Sequence, residues 1–102
     1  MNIKSVWNSK NTKQLSDVLC KIKDVKTMQN FLRDVMTEKE IIEISSRLKA
    51  AYMLNRQISY SEVIKETNLS SRTVARINNW LKNGCKGYIE AIKILNNHRL
   101  AS

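Results

Sequence analysis

The stretch from Ile58 to Lys82, ISYSEVIKETNLSSRTVARINNWLK, gathers residue types that can hold an extended anion and read its edges. Ser70, Ser71, Arg72 and Thr73 stand together where a helix should begin, and the unpaired amides of a helix start favour anions. Arginine can fork onto guanine, and hydroxyls can bond phosphates or base edges. Ala75, Asn79 and Lys82 continue the outward side of the same helix, and Ser61 adds a hydroxyl at the head of the helix before it. From Leu69 to Tyr88 there is no acidic residue, as a surface meeting phosphates requires.

The spacing predicts a short helix, a tight turn and a longer helix, a helix-turn-helix over about 59–84. Val63 and Ile64 supply the inner face of the first helix. Asn68 tolerates the left-handed conformation that ends it. Leu69 packs between the helices, and Val74 and Ile77 hold the second across the first. Ile64 stands where such units often carry a small residue, and Thr67 where they often carry an aliphatic one. Double-stranded DNA is the partner this surface suits. An ordinary helical corner with a solvated face is the plainer reading of the same spacing. A small helical adaptor that uses the unit for protein contact is the alternative function.

The rest of the chain must place this unit. Residues 1–10 show no period and are expected to form a flexible arm, followed by a single helical domain over 11–102. Leu15, Val18, Leu19 and Ile22 repeat at helical spacing, as do Met28, Phe31, Leu32 and Val35 after Thr27 as a cap. Thr37 and Glu40 form a capping box that opens a helix running to about Asn55, and Ser59 and Glu62 form a second. Tyr88, Ala91, Ile92 and Leu95 define a sixth helix after a stop at Gly84. The two N-terminal stripes are too much apolar surface for a small monomer to hide, which predicts a dimer.

Composition sets the outer bounds. The chain has 102 residues, 42% of them apolar, with no proline and two glycines. That combination argues against sheet, so an all-α fold of six helices is expected. The net charge is +9. Residues 1–36 carry +4, residues 37–68 are neutral and residues 69–102 carry +5. A basic end beside a neutral middle suits a polyanionic partner. Cys20, Cys85 and the single His98 have no metal-ligand spacing, and reduced cysteines fit a cytoplasmic location. No run is long enough for a membrane span. Glu38, Glu40 and Glu43 read as helix capping and a solvated face, Cys85 has no adjacent base, and no glycine-rich phosphate loop is present. No catalysis, metal or cofactor is expected.

From Met36 onward the sequence resembles the Trp repressor superfamily, and within it the YerC/YecD-like branch. The resemblance covers residues 36–99, and the first two helices in pattern only. MTEKE at 36–40 resembles the opening of that superfamily's long central helix. Ile58-Ser59 resembles the start of its helix-turn-helix, and Thr73-Val74-Ala75-Arg76 its recognition-helix segment. The resemblance implies a six-helix subunit in an intertwined homodimer, a transcriptional repressor whose two recognition helices enter successive major grooves. In tryptophan-binding members two arginines sandwich the corepressor's indole, and hydroxyls bond its polar ends. Carried over, the arginines are Arg47 and Arg76, the threonines are Thr37 and Thr73, and Trp80 stands at the serine position. These five form the candidate ligand pocket. An indole in place of a hydroxyl argues against L-tryptophan as corepressor and leaves another small molecule open. Trp80 is expected to fill part of that pocket, packing on Arg76 and Arg47; the plainer reading is that it extends the core stripe of Ile77 and Leu81.

Overall fold

The computed structural model describes the backbone of residues 3–101 and the side chains of residues 6–97. The His98 side chain lies outside the described residues. A 3₁₀ helix at Ile3–Asn8 falls within the stretch expected as an arm. Six α-helices follow: α1 at Lys10–Lys21, α2 at Val25–Val35, α3 at Glu38–Asn55, α4 at Tyr60–Thr67, α5 at Ser71–Asn83 and α6 at Gly87–Ala101. No strand occurs among the described residues, so the fold is all-α as the glycine and proline content predicts. Among them no helix is long and apolar enough to cross a membrane.

The chain divides into two compact units, one ending at Glu38 and the other beginning at Lys39. The first holds the 3₁₀ helix, which packs on α1, together with α2. Ser9 caps α1 by accepting the Thr12 amide hydrogen at 3.1 Å. Asp24 caps α2: its Oδ2 accepts from both the amide and the hydroxyl of Thr27, each at 2.9 Å. The cap expected at Thr27 therefore lies three residues earlier. A carboxylate binds the free amides of a helix start more strongly than a hydroxyl can, because the helix dipole adds to the bond. No side chain of α1 or α2 is buried.

The second unit has a core. Ala50, Ala51, Met53 and Leu54 of α3, Val63 of α4, Val74 and Ile77 of α5 and Ile92 of α6 form it. Ile58, Ile64, Leu69, Leu81 and Tyr88 pack against its edge. The first half of α3 contributes nothing buried, and Ile42 and Ile44 are exposed. The small Ala50-Ala51 pair sits at 0% exposure. Both alanines are fully buried in this core, so a larger side chain at either position would have to displace its neighbours.

Candidate nucleic-acid interface

Helix α4 starts at a cap that the sequence signals: Ser59 Oγ accepts the Glu62 amide hydrogen at 3.3 Å. It ends at Asn68, whose φ of 60° and ψ of 16° are left-handed and whose amide donates to the Ile64 carbonyl at 2.9 Å. Beneath this turn Thr67 is buried, and its hydroxyl donates to the Val63 carbonyl at 2.7 Å and accepts from the Leu69 amide at 3.3 Å. An aliphatic residue at position 67 would fill the same space. The threonine fills it and also ties the last turn of α4 to Leu69 in the link, so its hydroxyl is satisfied where an unpaired one would cost stability.

The link is Asn68, Leu69 and Ser70, and α5 begins at Ser71. Ser70 is the cap: its hydroxyl accepts the Thr73 amide hydrogen at 3.1 Å and donates to the Thr73 hydroxyl at 2.9 Å. Val74 and Ile77 are buried, which seats α5 against α4 and α6. The opposite side is therefore presented. Ser61, Ser70, Ser71, Arg72, Ala75, Asn79 and Lys82 are all exposed, and Thr73 is half-buried. The structure thus gathers the eight expected contact residues around α5 and the head of α4. Ser70 and Thr73 already bond each other, and Asn79 accepts from the Asn83 amide at 2.9 Å. Arg72, Arg76 and Lys82 carry the positive charge of this face, and no ion pair ties any of them among the described residues.

The five candidate ligand-pocket residues are placed differently. Thr37 belongs to the first unit and the other four to the second. Arg47 is tied along its own helix to Glu43 at 3.2 Å. Arg76 and Trp80 lie one turn apart on α5 and are both exposed, the indole at 44%. Arg76 makes no guanidinium-over-ring contact with the indole among the described residues. Among the described residues the guanidinium over a ring is Arg56, 5.7 Å above Tyr52. The indole instead leans on Gly84, where an added Cβ would lie 2.9 Å from indole Cε3 and 2.5 Å from the Trp80 carbonyl oxygen. Gly84 ends α5 with a φ of −88°, so lack of room rather than a left-handed turn calls for glycine. The run of types gives no sign of that contact, although Trp80 and Gly84 are one helical turn apart.

No group of three or more potential metal ligands occurs among the described residues. The arrangement is that of a helix-turn-helix unit presenting a cationic, carboxylate-free second helix. Over residues 10–96 the chain matches the family described as Trp repressor protein, and it belongs to that family, one of helix-turn-helix DNA-binding regulators and not of enzymes. It is 30% identical over 79 residues to the uncharacterised protein YerC of Bacillus subtilis strain 168, covering 78% of this chain and 76% of that one. A TrpR-like protein from Eubacterium eligens superposes with a TM-score of 0.82 at 29% identity, over 87% of this chain and 92% of that one. A candidate Trp repressor from Staphylococcus aureus has the same fold, with a TM-score of 0.84 at 24% identity over 94% and 95% of the two chains.

Proposed function

We propose that this chain is a sequence-specific regulator of transcription, a repressor, that acts in the cytoplasm and binds a two-fold-related site on duplex DNA as a homodimer. The observation that carries the reading is the exposed side of α5, where Arg72, Ala75, Arg76 and Asn79 stand without a carboxylate on a helix seated by Val74 and Ile77. The dimer rests on the apolar faces of α1 and α2, in which no residue is fully buried. It also rests on an open groove of about 540 Å³ in the second unit, lined by Leu48, Tyr52, Met53 and Leu95, which a second copy can cover.

Selection of bound sequences from random duplex DNA tests class and symmetry together, and a two-fold-related motif is the expected result. Roles within the face separate by mutation. Arg72 lies in the first turn of α5 and reads a base, so Arg72→Ala costs about 1–3 kcal/mol on the selected site and relaxes its sequence preference. Lys82, in the last turns, meets backbone, so Lys82→Ala weakens all sequences alike and lowers the salt slope by about 1. Equal losses by both variants on selected and random DNA would reverse this assignment.

Trp80 at the position of a ligand-binding hydroxyl supports regulation that is independent of free tryptophan. Calorimetry should give no saturable heat with L-tryptophan, and DNA affinity should not change when it is added. Saturable binding by the unaltered chain would show that the indole leaves the pocket open. Weak binding gained by Trp80→Ser would place the indole in it.

A further inference from the structure

A second cavity, of about 350 Å³, lies wholly within the second unit, between the link from α3 to α4 and the last turns of α5. It approaches α5 from the flank that holds Asn78, Leu81 and Lys82, whereas Thr73 and Trp80 lie on the other flank of that helix. It is therefore separate from the candidate ligand pocket discussed above. Leu54, Ile58, Leu81 and Ile89 supply its apolar lining. Beside them stand the side-chain amides of Asn55, Gln57 and Asn78, the Tyr60 phenol and the Lys82 ammonium. Within the described residues none of these five side chains has a hydrogen-bond or ion-pair partner.

The charge is one-sided. No carboxylate lines the cavity. Glu90, next to the lining Ile89, is drawn to Lys93 at 3.2 Å, and Glu62 lines the separate groove on the other side of α4. Gln57 holds a left-handed φ of 65°, with its amide donating to the Leu54 carbonyl at 2.9 Å. That conformation is strained for a residue with a side chain, and it turns the chain at the cavity's edge. Apolar side chains beside amide, phenol and ammonium groups are the kinds of group that hold a small molecule.

We propose that this cavity binds a small amphiphilic carboxylate, its apolar body over Leu54, Ile58 and Leu81 and its carboxylate on Lys82, Tyr60 and Asn78. Resting on the DNA-binding reading above, the ligand also draws Lys82 away from the DNA backbone and weakens DNA binding. The site and its effect are read separately. The ¹⁵N-labelled full chain is titrated with benzoate and with isovalerate, and in parallel with benzamide, which keeps the ring and lacks the charge. The amides of Asn55, Gln57, Asn78 and Lys82 are expected to shift to saturation with the carboxylates. Benzamide is expected to bind at least tenfold more weakly. Lys82→Gln, a change at an exposed position, should keep the thermal midpoint and lose benzoate binding by tenfold or more. Shifts that never saturate, that benzamide matches or that survive Lys82→Gln overturn the site. A site confirmed in this way, with DNA affinity unmoved by benzoate, overturns the coupling. Failure of the ligand-free chain to bind any selected duplex falls on the DNA reading and leaves the titration as the judge of the cavity.

Discussion

Helices α2 and α5 are of similar length, 11 and 13 residues, and each is opened by a side-chain cap. Each carries aliphatic side chains at helical spacing. In α5 Val74 and Ile77 are 0% and 1% exposed, whereas in α2 Val25 and Val35 are 72% and 58% exposed. The difference is not in the helices. Periodicity says which side of a helix is apolar and is silent about which surface covers it. For α5 that surface is in the same unit. For α2 and α1 it is incomplete in the single chain, where Leu19, Met28, Phe31 and Leu32 are only half-buried, and apolar stripes left open in this way mark places where another molecule packs.

The largest effect that sharpens the comparison is in the core of the second unit. Ile77→Ala removes a fully buried side chain from α5, and should lower the unfolding free energy by about 2–5 kcal/mol in a urea titration. A change within about 0.5 kcal/mol would mean that the core around Ile77 is far looser than its burial indicates.

The counterpart in the first unit is Leu15→Ala. Leu15 is 45% exposed in the single chain, and on that account alone its truncation should change stability by no more than about 0.5 kcal/mol. A second copy packed over α1 turns the same change into a core truncation of about 2 kcal/mol or more. The unfolding midpoint should then rise with protein concentration. Sedimentation equilibrium of the unaltered chain should give twice 11.8 kDa. A folded monomer at micromolar concentration, with a small Leu15→Ala effect, would break the comparison by showing that α1 and α2 need no cover.

The same contrast explains what could be read from residues alone. All six helices were legible because the apolar positions recur and the links carry caps. Asn68 was legible as a left-handed stop, and the outward side of α5 followed from Val74 and Ile77. Three features were not. Thr67 is explained by its bonds back to the Val63 carbonyl and forward to the Leu69 amide, which residue types do not show. Gln57 and Lys86 take left-handed φ values of 65° and 70°, although neither residue type favours them. The contact of Trp80 with Gly84 depends on a rotamer, which spacing does not encode. The division at Glu38 was also invisible, because capping and period continue through it unchanged. The candidate ligand residues were legible only by resemblance, and their types alone do not gather Thr37, Arg47 and Arg76 into one place.

The smallest effect separates the units by their caps. Ser70 caps α5 with a hydroxyl that does not titrate, so pH should leave that cap intact. Asp24 caps α2 with a carboxylate held below its ordinary value of 3.8, first by the Thr27 amide hydrogen bond and then by the Thr27 hydroxyl. A carboxyl whose folded pKa is lowered contributes stability that is fully present above its unfolded pKa. That contribution is lost as pH falls through the lowered folded value. Carboxyl-detected NMR should place the Asp24 midpoint below 3.8, and the amide resonances of Val25 to Met28 should move with it. The α5 amides near Ser70 should stay still over the same range. In Asp24→Asn, which keeps an accepting oxygen and cannot ionise, the acid transition at α2 should disappear. An Asp24 midpoint at or above 3.8 would mean that the Thr27 bonds do not favour the ionised form.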